Sequence, residues 1–486
     1  MGGAQLLSVD VAPLGVAPPD VAIVGCGPVG ALLANLLGHA GLSVDVYDRE
    51  TEIYALPRAV HFDGEVMRVF QAAGLADRIA GATRPSPYGA RYEDAAGRTL
   101  LIRHGTEGPG PHGWSGSWYF HQPLLEAILR EGLARFPNVR VHLGHEVRSV
   151  DDLTARYVVG CDGARSLVRR AIGSRQVDLG LHQPWLVVDL LCDPASPRTQ
   201  ALPLHSLQFC DPIRPMTLVN VNGERRRWEI MLMPGDDQDR LTKPEIFWPM
   251  IERWLGPQDA RIERAAVYTF HSVVQEGWRK GRLLLAGDSC HQTPPFLGQG
   301  MCAGMRDASN LAWKLAAVLK GGAPDSLLDT YESERRPHVT EFIELAVRLG
   351  AVIQATDPQA IADRNHRFAK GTEMFDFPQP QLGPGWRMDG ASPVGTIFPQ
   401  PRLEDGRLMD EAIGQRFAIV GERSLLAGLK TTAVLLPGAG GDWLAAHEAR
   451  AAILRPDRYI FALARDRSEL LEATERALLS FDSACS

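Results

Sequence analysis

Apolar residues follow two rhythms along the chain, and the switches between them mark out its elements. Val21–Val24 is a continuous apolar run; glycines follow it, residues 31–39 repeat their apolar positions at helical spacing, and Gly41 ends that stretch before an extended pattern at 43–47. Strand, glycine turn, helix and strand in this order predict a βαβ unit. Helices are predicted over 63–73, closed by Gly74, and over 122–136, while a strand at 157–161 runs into Asp162-Gly163. Between 183 and 270 the pattern turns β-rich at 185–191, 216–221 and 227–233, which predicts an inserted antiparallel layer. A buried strand returns at 282–286, and helical periodicity then covers 301–319 and 325–352. The last stretch carries strands near 418–420, 432–436 and 459–463 and a helix over 469–479.

These patterns predict an α/β chain with a loose leader at 1–19 and a Rossmann-like nucleotide-binding domain, with its long helices, split between 20–182 and 272–375. An antiparallel-sheet substrate domain occupies 183–271, a Pro- and Gly-rich linker 376–401, and a further α/β unit 402–486. At roughly 150 residues per domain, 486 residues correspond to about three units.

Composition removes several classes of function. Hydrophobic residues at 45% and charged residues at 22% match ordinary globular usage, so disorder and fibrous folds are excluded. A net charge of −7 offers no basic field for nucleic acid or anionic lipid and leaves a small molecule as the expected partner. The seven cysteines, Cys485 among them, are odd in number and never form CxxC, which speaks against a disulfide scaffold or metal site and for a reducing cytoplasm. The first twenty residues lack Lys and Arg, and the apolar stretch 21–37 is broken by Gly25, Gly27, Pro28 and Gly30, so neither a secretory signal nor a membrane span is expected.

The sharpest motif is Gly25-Cys26-Gly27-Pro28-Val29-Gly30, set between strand and helix. Gly25 permits the tight turn, Gly27 lets a pyrophosphate approach the backbone, and Gly30 lets helix pack on strand. Asp48, 18 positions after Gly30, ends the second strand where a carboxylate accepts a ribose hydroxyl. A second GxGxxG string at 108–113 contains two prolines and lacks a flanking strand and helix, so it reads as a loop. One dinucleotide therefore has a dedicated fold, and the fingerprint alone leaves NAD and FAD open. Asp162-Gly163 and Gly287-Asp288 also follow apolar strands, the position where ligands of open α/β sheets collect.

The Gly25–Gly30 turn, the string Cys161-Asp162-Gly163-Ala164-Arg165-Ser166, and residues 282–288 followed by Pro294-Pro295-Phe296-Leu297-Gly298-Gln299-Gly300 together resemble the single-component FAD aromatic hydroxylases of the p-hydroxybenzoate hydroxylase fold. The resemblance covers most of residues 21–352. Pro57-Arg58-Ala59, Gln122 in Phe120-His121-Gln122-Pro123-Leu124-Leu125, and residues 298–307 are similar to the 3-(3-hydroxyphenyl)propionate hydroxylase branch and its polyketide-modifying relatives. The C-terminal unit resembles their thioredoxin-like appendage, and without CxxC it is expected to be structural.

The resemblance implies FAD as cofactor, with NAD(P)H and O2 as co-substrates. It also implies that a flavin C4a-hydroperoxide hydroxylates a phenolic ring, most readily ortho to an existing hydroxyl. Asp48 and Arg49 would hold the adenosine end. Arg58 and Gln122 would hold the pyrophosphate and ribityl region, Asp288 the ribityl chain, and Asp162-Gly163 the dinucleotide. Pro295 would line the reactive face, and Gly298, Gly300, Met301 and Cys302 would aim backbone N–H groups at the isoalloxazine edge. Helix capping is the competing role for both Asp162 and Asp288.

No catalytic base stands out. Candidates in the inserted sheet are His205, Gln208, Arg214, Trp228 and His271, but a strand exposes alternate residues to a ligand, so half of such choices fail by parity. The Arg225-Arg226-Arg227 run reads as a solvated turn. Competing functions are an aromatic-polyketide tailoring hydroxylase, a flavin-free NAD(H) dehydrogenase and a catalytically idle flavoprotein module. A flavin halogenase is disfavoured because no Trp-x-Trp-x-Ile-Pro segment occurs. A homodimer is the expected assembly if the chain self-associates.

Overall fold

The computed structural model describes residues 17–478 except 56, 57, 106, 222, 321 and 376. Pro57, Cys485, the end of the final helix at Leu479 and most of the expected leader lie outside the described residues.

Val21–Val24 sits inside a six-stranded sheet, with Val44–Asp48 on one side and Tyr157–Gly160 on the other, all parallel. Leu283–Leu285 extends the sheet in parallel beyond Tyr157–Gly160, and Val139–Leu143 extends it beyond Val44–Asp48. The four residues of Val21–Val24 are all buried, as expected of a strand covered on both faces. The turns after three adjacent strands, carrying Gly25, Asp162 and Asp288, thus emerge side by side at one sheet edge. Residues 137 and 263 positions away from Gly25 in sequence become its neighbours because parallel pairing aligns strand ends. Helices Pro28–His39 and Gly300–Leu319 pack into the same core.

The antiparallel layer expected at 183–271 belongs to a sheet larger than that interval. Its nine strands run in the order His291–Gln292, Ala260–Glu276, Arg175–Cys192, Arg225–Met231, Met216–Asn220, Ser206–Cys210, Ala90–Asp94, Thr99–Arg103 and Glu373–Phe375. Residues 90–103 and 373–375 therefore leave the nucleotide-binding segments and join this sheet. Arg175–Cys192 and Ala260–Glu276 pair along most of their length and carry the chain from one domain to the other. The Arg225-Arg226-Arg227 run is strand, not turn: Arg225 pairs with Glu263, and Arg227 is buried against Asp189.

Within the interval expected as a linker, 376–401, the described residues 377–401 form a packed strap, since Leu382 and Phe398 are fully buried and Trp386 N–H donates to Glu334 at 2.6 Å. The C-terminal unit has strand order Val434–Pro437, Ala418–Gly421, Ala451–Leu454 and Ile460–Ala464. The first pair is parallel and the others antiparallel, with the helix Arg467–Leu478 packed on the sheet: the thioredoxin-like order. It is bolted to the rest by buried charges. Arg68 and Arg458 both meet Asp410, and Arg455 and Lys314 share Glu334. Each such group is costly to bury alone, so removing one partner would strand the other.

Candidate active site

One cavity of about 1040 Å³ lies between the parallel sheet edge and the nine-stranded sheet. Its walls contain Gly25, Gly27, Pro28, Asp48, Arg49, Arg58, Gln122, Asp162, Gly163, Asp288, Pro295, Gly298, Gly300 and Met301, so residues singled out along 277 positions of sequence converge on one space.

The glycine turn is built for close approach. Gly25 holds φ +101°, and a Cβ there would meet the Cys161 carbonyl oxygen at 2.4 Å. A Cβ on Gly30 would fall 2.0 Å from the Gly25 carbonyl oxygen, so Gly30 serves helix packing and stands back from the cavity wall. Gly27 differs: nothing lies within 4 Å of its Cβ position, which opens on the cavity. Asp48 steadies this turn by accepting the Cys26 N–H at 2.7 Å and that of Glu50 at 2.9 Å.

The two later carboxylates divide between the roles expected of them. Asp162 Oδ2 caps the helix Leu167–Ile172 through Leu167 N–H at 2.6 Å, while Oδ1 is buried without a partner among the described residues. Asp288 caps nothing: it makes no hydrogen bond among the described residues and is exposed to the cavity. Gln122 acts at one remove. Its Oε1 accepts the N–H groups of Arg58 and Ala59 at 2.9 and 2.7 Å and its amide nitrogen donates to Glu126, so it fixes the loop that presents Arg58. An open glycine cradle, an orphaned carboxylate oxygen and a donor-free carboxylate fit a dinucleotide with ribose and ribityl hydroxyls to donate. FAD is the group this donor and acceptor set would hold, with Gly27 at the pyrophosphate and Asp288 at the ribityl chain.

Beyond Asp288 the chain turns through Pro295–Leu297 and Gly298, at φ +68°, into the helix Gly300–Leu319, whose first residues Gly300 and Met301 line the cavity. Cys302 does not join them on the wall; its thiol is buried and approaches the His61 carbonyl. Arg306 on this helix pairs with Asp63 and Glu65, Gln299 donates to Asp63, and Tyr459 of the C-terminal unit donates to Glu65 at 2.9 Å. The C-terminal unit thereby braces the loop that borders the cavity at Gly298 and Gly300. His61, beside Gly298, is kept neutral by burial and by Arg103, which lower its pKa to about 4.

The opposite wall is one face of the nine-stranded sheet. Ser206 and Gln208, Thr217 and Val219, and Arg227 and Glu229 face the cavity from three neighbouring strands. Their alternates Leu207, Phe209, Met216, Leu218, Trp228 and Ile230 pack on the other face against Phe247, Trp248 and Ile251. Parity thus removes Trp228 from the site and keeps Gln208. Arg214 is held by Asp236 away from the cavity, and His205 does not reach the wall. His271 lies on the wall at a wetter margin, its Nδ1 2.7 Å from Nδ1 of His182, which bonds Asp178. Tyr92, Arg103, Tyr119, Ser206, Thr217 and Glu229 complete the wall and were not singled out from the sequence. The polar alternation of Ser-Leu-Gln-Phe, Met-Thr-Leu-Val and Arg-Trp-Glu-Ile was the signal available for three of them.

Comparison with known proteins agrees with this geometry. Residues 19–346 match the family model described as FAD binding domain. A probable NADH-specific resorcinol 4-hydroxylase of Rhodococcus jostii (strain RHA1) is 37% identical, covering 93% of both chains. A 3-(3-hydroxy-phenyl)propionate/3-hydroxycinnamic acid hydroxylase of Mycolicibacterium gilvum (strain PYR-GCK) is 37% identical over 82% of this chain and 75% of the relative. Among solved structures, the flavin-dependent monooxygenase PieE in complex with FAD and substrate shares the fold at TM-score 0.77 and 22% identity, covering 96% of this chain and all of its own. With a glycine cradle, a donor-free carboxylate and a polar sheet face closing one cavity, and with these relatives, the chain belongs to the FAD-binding family of flavin-dependent aromatic hydroxylases.

Proposed function

We propose that this enzyme hydroxylates a single-ring phenol ortho to an existing hydroxyl, using NADH and O2. The carrying observation is that the cofactor cradle and the polar sheet face line the same cavity, so a ring held on the sheet lies beside whatever Gly298–Met301 borders. The named relatives support a small phenol: position 4 of resorcinol is ortho to one hydroxyl and para to the other, and the Rhodococcus relative is named for NADH. FAD, when bound, supplies hydride acceptance and oxygen activation. The chain's own work is to position the ring and exclude water. Burial of Tyr92, Phe296, Leu297 and Gln208 around the cavity serves the second task. Among the described residues no helix is long and apolar enough to cross a membrane, and the described cysteines are free, which supports a cytoplasmic setting.

Purified protein should be yellow with one FAD per chain, and a panel of phenols should include one that accelerates NADH oxidation with hydroxylated product formed stoichiometrically. Product from none of them sinks the reading, and NADH loss without product marks an uncoupled oxidase. Size-exclusion chromatography of the same sample reads whether it is a homodimer.

A further inference from the structure

On the strand Arg225–Met231, Arg227 and Glu229 are two residues apart and both face the cavity. Arg227 is committed elsewhere. Its Nε and Nη2 donate to Asp189 at 2.7 and 3.2 Å and its Nη1 to the Arg58 carbonyl at 2.6 Å, while Asp189 also pairs with Arg264 at 2.7 Å. These contacts occupy the Arg227 guanidinium, and Glu229 meets it through a long ion pair and not a hydrogen bond among the described residues. The Glu229 carboxylate stands 3.9 Å from Arg227 Nη1, accepts no hydrogen bond among the described residues, and belongs to a side chain only 9% exposed. A carboxylate largely withdrawn from water and without donors gains from any donor brought to it. Its place on the cavity wall means that a ligand can supply the missing donor.

The neighbours define which donor. Strand register sets Tyr92, Gln208, Thr217 and Glu229 in one row across the sheet, all on the cavity face. Thr217 Oγ1 donates to Gln208 Oε1 at 2.6 Å, which leaves the Gln208 amide nitrogen to donate on the same wall. Gln208 and Glu229 are two strand spacings apart, about 10 Å at the backbone, a span suited to one substituted ring between their side chains. A carboxylate-bearing substituent is repelled at the Glu229 end; a hydroxyl fits it. The titratable and charged groups facing Glu229 are Arg227 on its own strand, Asp189 on the strand Arg175–Cys192 and Arg264 on Ala260–Glu276.

We propose that Glu229 is the catalytic residue that receives the substrate's phenolic hydroxyl and accepts its proton, with Gln208 steadying the ring. The inference rests on the phenol-hydroxylase reading above. As the O–H bond breaks, the proton passes to Glu229 and the electron pair stays on oxygen, feeding the ring carbon that bonds to the incoming oxygen atom. When the ring carbon then loses its proton to solvent, Glu229 returns the first proton to the phenolic oxygen and is again a carboxylate. One atom of O2 becomes the new hydroxyl: the O–O bond breaks as the carbon–oxygen bond forms, and the other oxygen leaves as water, with both electrons supplied by NADH and a proton by solvent. Burial raises the Glu229 pKa, with Arg227 opposing, which moves the carboxylate toward the range where a base works best near neutrality.

The test uses holoenzyme and the phenol with the highest kcat/KM in the panel. Glu229→Gln, with FAD content and absorption spectrum as wild type, is expected to lower kcat/KM at least tenfold and to abolish the acid-side limb of the pH profile. Wild-type kcat/KM within twofold and an unchanged limb overturn the inference. Wild-type enzyme gives a second arm independent of the variant's folding: the O-methyl ether of the same phenol, which has no hydroxyl to donate, is expected to bind at least tenfold more weakly by flavin difference spectroscopy. Equal binding overturns the proposal. If no phenol is hydroxylated, the functional reading falls and takes this inference with it; if a phenol is hydroxylated and Glu229→Gln is silent, only this inference falls.

Discussion

The two walls of the cavity are made by different means. The wall that would hold the cofactor is mostly backbone: Gly25 and Gly27 after a strand of the parallel sheet, and Gly298 and Gly300 at a helix N-terminus. The wall proposed for the substrate is side chains: Tyr92, Gln208, Thr217 and Glu229 from four strands, selected by which face each residue presents. A backbone wall needs particular residues because only glycine leaves room, so it writes a motif. A side-chain wall needs only the right alternation, so its residues can change with the substrate while the sheet stays the same.

That contrast can be broken at several points. The largest effect is expected at Gly30→Ala: its Cβ would lie 2.0 Å from the Gly25 carbonyl, and the turn would have to move. The purified variant should be colourless, with FAD affinity down at least about 100-fold, some 2.7 kcal/mol. Gly27→Ala meets nothing in the protein and should fold as wild type, yet bind FAD more weakly by isothermal titration. Unaltered FAD binding in Gly27→Ala would mean that the pyrophosphate does not approach there.

Next comes Asp288→Asn, expected to weaken FAD binding about tenfold to 100-fold, the range of a hydrogen bond to a charged group, with little loss of melting temperature because Asp288 supports no helix. A large fall in stability with FAD affinity intact would restore the capping role. On the other wall, Gln208→Leu should raise KM for the phenol about tenfold with FAD content unchanged. Trp228→Phe, one of the residues on the sheet's far side, should do the reverse and cost about 1–3 kcal/mol of stability in denaturant titration with KM unmoved. Similar kinetic effects from both variants would contradict the assignment of faces.

The smallest effect concerns acid. His61 is held at a pKa of about 4 in the folded protein, below its ordinary value near 6.5. Between those values the unfolded chain takes up a proton that the folded one refuses, so stability is full above pH 6.5 and is lost as pH falls toward 4. His61→Gln should reduce the drop in melting temperature between pH 7 and 4.5. His112, lowered to about 4 by burial and by Arg68, keeps part of that drop in place.

Much of the fold could be read from periodicity. The strand Val21–Val24, the helix Gly300–Leu319 and three of the four C-terminal strands lie within a few residues of where hydrophobic spacing put them; the fourth, Ala451–Leu454, is not predicted. The misassigned pieces share a cause. The hairpin 90–103 and the strand Glu373–Phe375 look like any short extended segments, and only their hydrogen-bond partners, far off in sequence, assign them to the substrate sheet. The strap 377–401 is rich in Pro and Gly as a linker would be, yet Leu382 and Phe398 are buried, Phe398 because it packs into the core of the C-terminal unit.

The amino-acid sequence by itself determined the cofactor wall: a glycine turn between strand and helix, with acidic turns after two distant strands, has steric and hydrogen-bonding requirements that few other residues meet, so its parts are visible one by one. The substrate wall was decided only by the tertiary structure. Whether Gln208 or Trp228 faces the ring is a matter of strand parity and of what covers each side, and Glu229 becomes a candidate base only because Arg227 is already occupied by Asp189 and Arg58. Chemistry that depends on which partners are already taken belongs to the fold, not to any segment of the chain.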